Sequence, residues 1–294
     1  MFDFIKKVYF SYLEDKAMAW AAAVAYFTTF SIAPMLLIAI SVAGLFYEPQ
    51  DVRGEIFKQI ESLLGQEGAS AIQTMISAAS REGGGIVGTI IGFLILAWTS
   101  SSVFRYLQLA LDQIWHVDQK EGNIKTFAKA RAISFGMVLT IGFILLVSLI
   151  ISALLSAFWG RVDDYLPFSS TLIAGMDFVV SLLIITLLFA ALFKILPHAD
   201  LQWKNVWFGG FVTATLFVIG KTAIGFYIGQ SDLASSYGSV GSLIIILIWV
   251  FYSAQIFFFG SEITKVYVQH KGQIITPSSD AVKIERIEKE QEKL

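Results

Sequence analysis

Between Trp203 and Lys265 two long apolar runs follow one another, and the first carries a lysine in its interior. The runs are Asn205 to Gly229, with Lys221, and Val240 to Thr264, with Gln255 and Glu262. Only Gln230-Ser-Asp-Leu-Ala-Ser-Ser-Tyr-Gly-Ser239 separates them, room for little more than a turn between antiparallel helices. Runs of this length match what a hydrocarbon layer of about 30 Å demands of a spanning helix. A lysine at the centre of such a helix costs about 2.5–3.5 kcal/mol on insertion scales, so it must face a cavity, a partner or the interface.

The rest of the chain suits the same solvent. Of its 294 residues 56% are hydrophobic and 15% charged, against about 45–50% and about 25% in soluble domains. With no cysteine, disulfides and thiolate metal sites are ruled out. The first apolar run, Ala17 to Tyr47, is longer than the roughly 7–15 residues of a signal-peptide core, although Ser41-Val-Ala43 resembles a cleavage site. It is read as a retained span.

Six spans are expected, at about 21–46, 86–103, 132–158, 172–196, 205–229 and 240–264, each near the roughly 20 residues a bilayer requires. The expected fold is therefore an all-α integral membrane protein, with residues 1–270 a single six-helix domain and 271–294 a charged cytoplasmic tail, solvated or frayed. Ahead of the first span, Phe2, Ile5, Tyr9 and Tyr12 recur at helical spacing away from Lys6 and Lys7. Phe2 to Leu13 is thus an amphipathic helix, lying on the membrane or packed on the bundle. Within the first span Pro34 lacks an N–H and crowds the carbonyl of Phe30, which predicts a kink. Thr28, Thr29 and Ser31 offer hydroxyls to repair the freed backbone groups.

Glu48 to Gly85, between the first two spans, carries helical periodicity broken at Gly65 to Gly68, and reads as an external loop of two short amphipathic helices. Gly88-x-x-x-Gly92 and Gly225-x-x-x-Gly229 place small residues four apart, which lets helix backbones approach closely. Such faces serve packing within one chain or in a homo-oligomer equally well.

Orientation follows from the cations. The N-terminal segment, the second loop, the fourth connection and the tail hold 16 of the 21 Lys and Arg residues, whereas the opposite loops hold 4. The positive-inside rule then puts both termini in the cytoplasm. At 1.5 Å per residue Lys221 lies roughly 12 Å from the outer end of its helix and Glu262 roughly 33 Å down the next, so the two cannot pair directly. Asp177 is nearer the level of Lys221, and Arg105 and Asp112 are level with Glu262. Two polar clusters are expected, an outer one around Lys221 and Asp177 and an inner one around Glu262 and Arg105; alternatively Lys221 snorkels outward and Glu262 marks the interface.

Two stretches carry a family resemblance. Ala21-Ala-Ala-Val-Ala-Tyr-Phe-Thr-Thr-Phe-Ser-Ile-Ala-Pro34 is one; the other is Tyr237-Gly-Ser-Val-Gly-Ser242 leading into Ile248-Trp-Val-Phe-Tyr252 and Gly260-Ser-Glu262. Together they resemble the YihY/BrkB family of bacterial inner-membrane proteins, from about Phe4 to His270. Ser261 departs from the small alanine expected there, and Lys221 falls where the family places a lysine. The resemblance implies a six-helix membrane fold in the bacterial inner membrane. Family members have carried the labels of ribonuclease, serum-resistance factor and transporter or lipid exporter.

Weighed on residues, transport of a lipid or amphipathic anionic solute comes first. The candidate pathway comprises Lys221, Asp177, Glu262, Gln255, Arg105 and Tyr26. No P-loop is present, so movement would be passive, ion-coupled or driven by a partner. A nuclease needs clustered metal ligands, and His116, His198 and His270 are isolated in sequence. No catalytic residue, metal or cofactor is therefore expected, and nucleic acid is not an expected partner. A scaffold for envelope assembly is the remaining alternative. Membrane lipids are the expected partners in every case, attracted by Lys120, Lys125, Lys129 and Arg131.

Overall fold

The computed structural model describes residues 2–43, 102–120, 136, 170–230 and 241–284, with residues 54, 57, 58, 61, 66, 69, 70, 72–74 and 76 from the segment between the first two spans. In chain order, α1 is Phe2–Glu14 and α2 is Ala17–Ala43. Helix α3 covers 102–115 and leads into strand β1, Val117–Gln119. Next come α4, Ser170–Ile195, β2, Ala199–Asp200, α5, Trp203–Gln230, and α6, Gly241–His270. Strands β3, Thr276–Pro277, and β4, Ala281–Lys283, end the described chain.

Helix α6 is the central post: α1, α2 and α5 all pack on it, and α4 packs on α5. Its buried Phe257 and Phe258 meet Phe189, Ala190 and Phe193 of α4 and Leu111, Ile114 and Trp115 of α3 in one core. Among the described residues Phe178–Ile195, Trp203–Ile228 and Leu243–His270 are long and apolar enough to cross a membrane. Only 22%, 22% and 33% of these windows is buried inside the bundle, and large apolar side chains such as Leu183, Leu187, Phe211, Ile219 and Leu247 are exposed, as lipid contact requires. On α5 the exposed Trp203 and Trp207 stand at one end and Phe226 and Tyr227 at the other, about 36 Å apart, the spacing of two interfacial aromatic belts.

Helix α1 both packs and exposes. Val8 and Tyr12 are buried, whereas Ile5, Tyr9, Phe10 and Leu13 remain about half exposed. The stripe read from Ile5, Tyr9 and Tyr12 is thus divided, with Tyr12 on the bundle and the other two outside. Helix α2 runs through Pro34 without interruption, so the expected kink does not end the helix. Thr29 Oγ1 donates to Ala25 O at 2.8 Å rather than to the carbonyl of Phe30. In the loop between the first two spans the described positions are helical. There Ile72 is buried against Ala25, Ile246 and Val250, so this position packs onto α2 and α6.

Two expectations need correction. The sixth apolar run was expected to end at Thr264, yet α6 continues to His270 because Val266 and Val268 are still buried. The tail is not a frayed helix over residues 273–284. It returns to the bundle as two short strands: β4 pairs antiparallel with β1, Asp118 opposite Val282, and β3 with β2, Asp200 opposite Thr276. Ile284 N donates to His116 O at 2.9 Å and Ser278 N to His198 O at 2.8 Å. The α1–α2 turn, residues 116–120, residues 198–200 and the tail therefore meet at one end of the bundle.

Candidate functional site

That end is where buried charge collects. Asp15 sits in the turn between α1 and α2, where Asp15 N bonds Ser11 O at 2.9 Å. The next residue, Lys16, has φ 55°, a left-handed conformation uncommon outside glycine. His116 ends α3 in the same conformation, φ 53°, the usual geometry just past a helix C-terminus. These two turns bring Asp15 and His116 to Glu262 and Lys265, which lie one turn apart on α6.

Asp15, Glu262 and Lys265 are exposed by 1%, 0% and 2%. The Lys265 ammonium is hydrogen-bonded to Asp15 Oδ2 and stands 2.7 Å from Glu262 Oε2. His116 Nε2 lies 3.1 Å from Asp15 Oδ1; an ionised carboxylate only accepts, so Nε2 carries the proton. Glu262 is less well served: the Lys265 contact is an ion pair without hydrogen-bond alignment, and neither carboxylate oxygen has a well-aligned hydrogen-bond partner among the described residues. For Asp15, burial pushes the carboxyl pKa up, but the His116 hydrogen bond and the charge and hydrogen bond of Lys265 outweigh it and hold the group at about 2. Tyr12 closes the cluster from α1, its ring edge-on to Phe259 at 5.8 Å and its hydroxyl 3.4 Å from Gln255 Oε1.

Beside it, α3 caps α4. Asp112 receives His198 N at 2.7 Å and His198 Nδ1 at 2.7 Å. One turn earlier, Gln108 Nε2 donates to Leu196 O at 2.8 Å. These bonds satisfy a helix end at which Pro197 supplies no N–H. His116 and His198, isolated in sequence, are thus each held by a carboxylate. Among the described residues no three His, Asp or Glu side chains form a group that could hold a metal ion.

The pathway residues whose side chains are described do not converge. Glu262 belongs to the buried cluster, and Gln255 reaches it through Tyr12. Arg105 is not the partner of Glu262: its guanidinium reaches Gln119 Oε1 at 3.5 Å, and Lys265, three residues along α6, takes the place expected of it. Tyr26 is exposed on α2, stacked edge-on with Phe30. Lys221 is half-buried on α5 and has no ion pair or hydrogen bond among the described residues. Gly209 faces Thr264 and Gly220 faces Tyr252, so Lys221 is level with about Tyr252. Ten residues of α6, about 15 Å, separate it from Glu262. The side chain of Asp177 and the whole of Gly88-x-x-x-Gly92 lie outside the described residues.

Gly225 is not where α5 meets α6. A Cβ at Gly225 would meet nothing within 4 Å, and the surroundings of Gly229 lie outside the described residues. The close approach of α5 and α6 is made elsewhere, by two reciprocal Gly-x-x-x-Thr steps. A Cβ on Gly209 would overlap Thr264 Oγ1 and stand 2.8 Å from its Cβ; one on Gly260 would overlap Thr213 Oγ1 and stand 2.8 Å from its Cβ. Each threonine turns its hydroxyl onto the carbonyl four residues back, Gly209 O and Gly260 O, both at 2.7 Å. Neither polar group is left open to lipid.

Sequence reasoning missed Asp15, His116 and Lys265. The available signals were the Glu262–Lys265 spacing of three on a spanning helix, which places the two on one face, and Asp15-Lys16 at the break between two helical stretches.

Apolar outward-facing helices joined by a buried ionic knot at one end define a helical membrane protein. Residues 8–284 match the family model described as Virulence factor BrkB, and the chain belongs to the BrkB family. It is 27% identical over 266 residues to a UPF0761 membrane protein of Pseudomonas paraeruginosa, covering 88% of this chain and 61% of that one. It is 24% identical over 275 residues to the ribonuclease-like protein YfkH of Bacillus subtilis, covering 92% and 96%. The chain thus spans about three-fifths of the length of the Pseudomonas relatives it matches. No solved structure matches it.

Proposed function

We propose that this chain is a six-span protein of the bacterial inner membrane, both termini cytoplasmic, that moves a lipid or an amphipathic anionic solute between the leaflets. The observation that carries the reading is the Asp15–Lys265–Glu262 cluster. Three ionisable groups buried together at the end of the spanning helices are costly, and buried charge of this kind concentrates at functional sites. Two carboxylates around one ammonium form a place where a proton is gained or released, which would couple movement to a proton gradient. Lys221, half-buried and without a partner among the described residues, is the group for an anionic headgroup. The meeting of the α1–α2 turn, residues 116–120, residues 198–200 and the tail at one end supports two spans in each interval. These segments are also rich in Lys and Arg, which supports a cytoplasmic position.

The test is lipid scrambling in reconstituted vesicles, using a fluorescent headgroup-labelled phospholipid and dithionite, with and without an imposed pH gradient. Wild type should exceed protein-free vesicles, and Glu262→Gln and Lys221→Met should each lose most of the rate while remaining folded. No movement by folded wild type under either condition overturns the proposal. The second reading, a non-enzymatic scaffold in envelope assembly, is favoured by the tail strands that fasten four segments together. It expects Glu262→Gln to change folded yield in a protein without flux.

A further inference from the structure

The returning tail encloses a pocket of about 260 Å³ against the buried cluster. Its walls include Trp115 and His116 at the end of α3, Lys265 and Gln269 on α6, and Gln273 and Lys283 of the tail. This is space for about eight waters at their liquid volume, enough for a phosphate group with a short organic stem. Among the described residues every charged or titratable side chain in the wall is basic. The carboxylates of Asp15 and Glu262 are not part of the lining; they lie behind Lys265 and offset its charge, so neutral donors must contribute to recognition.

Two such donors are present. Trp115 is 2% exposed, and its Nε1–H has no hydrogen-bond partner among the described residues. A buried donor left unsatisfied costs about 1–3 kcal/mol and calls for an acceptor. Gln273 is fixed at the other end of its amide, where Asn205 Nδ2 donates to Oε1 at 2.6 Å, leaving the Gln273 NH2 as its open side. Residues carrying an ammonium from α6, a second from the tail, an indole N–H and an amide NH2 thus line one space. A cation would find only a few amide carbonyls there.

We propose that this pocket binds a small phosphate-bearing anion, held by Lys265, Lys283, the Trp115 Nε1–H and the Gln273 amide. The group is either a soluble phosphate monoester or the headgroup of a lipid. The site is distinct from the proposed movement of lipid and is read as equilibrium binding, so its success or failure does not depend on flux.

The full chain, purified in detergent, is titrated calorimetrically with glycerol 1-phosphate and, separately, with short-chain phosphatidic acid in the same micelles. Saturable binding with a Kd below about 10 mM is expected in at least one arm. Binding only in the first identifies a soluble ester, and binding only in the second a lipid headgroup. Trp115→Phe should weaken it about tenfold through loss of the N–H. Lys283→Gln, on the surface and without consequence for the core, should weaken it about threefold. Absence of saturable binding in both arms overturns the proposal, as does binding that the Lys283→Gln protein retains at full strength.

Discussion

Asp15 and Lys265 form a buried ion pair across 250 residues of chain, joining the turn after α1 to the last spanning helix. Breaking such a pair from one side leaves a charge buried and uncompensated, at a cost of about 3–5 kcal/mol. Lys265→Met should be the more damaging substitution, because it strands both Asp15 and Glu262. Asp15→Asn should cost less, since Glu262 still neutralises Lys265. The double variant should fall well short of the summed losses, as members of one network do. Thermal unfolding in detergent followed by tryptophan fluorescence measures this, and strictly additive effects would show that the two residues act separately.

Glu262 is the weak member of the cluster. It shares Lys265 with Asp15 and has no aligned donor on either oxygen among the described residues, so with Asp15 in place its attraction to Lys265 is offset by repulsion and desolvation cost. Glu262→Gln keeps the shape and removes the charge. The folded protein should lose less than about 1 kcal/mol or gain stability, the opposite of Asp15→Asn. A loss as large as that of Asp15→Asn in the same unfolding assay would contradict this ranking.

Acid should unlock the turn. Asp15 is held at about 2 against an ordinary 3.8, so its charged form is favoured in the folded state. The stabilisation is complete above pH 4 and is lost as pH falls through the window between about 4 and 2. Its size is on the order of 2 kcal/mol. Unfolding temperatures from pH 6 to pH 2 should fall more steeply for wild type than for Asp15→Asn. Parallel curves would mean that another carboxylate governs acid sensitivity.

What could be read in the sequence was composition, period and depth. Those place α4 and α5 within a few residues of their ends and α6 at its start, separate Lys221 from Glu262, and put Glu262 at the basic end of its helix. Arg105 satisfies depth too, yet a partner must also share azimuth, and that depends on how α3 rotates against α6. The true partners arrive through two left-handed turns, at Lys16 and His116, whose residue types do not announce that conformation as glycine would. The tail misled for a related reason. Ala281-Val-Lys-Ile284 is too short to signal a strand alone, and only the Pro277-Ser-Ser-Asp280 turn beside it hinted that the chain reverses there. Small-residue spacing carries less information, because a pattern of four identifies a helix face without saying what the face meets, and the α5–α6 contact is made by Gly-x-x-x-Thr instead.

The glycines supply a direct comparison. At Gly225 a Cβ meets nothing, so Gly225→Ala should raise stability by up to about 1 kcal/mol through helix propensity alone. At Gly260 a Cβ would stand 2.8 Å from Thr213 Cβ and overlap its hydroxyl. Gly260→Ala should therefore cost about 1–3 kcal/mol by forcing α5 and α6 apart. The clash is with one threonine side chain, its Cβ included, so Thr213→Gly introduced beside Gly260→Ala should recover part of the loss, and Thr264→Gly should do the same for Gly209→Ala. Recovery in both matched pairs, but not when the threonines are exchanged, would establish that two separate Gly-x-x-x-Thr steps set the distance between the helices. Equal tolerance of alanine at Gly225 and Gly260 would instead mean that this distance is set by the aromatic side chains along the same seam.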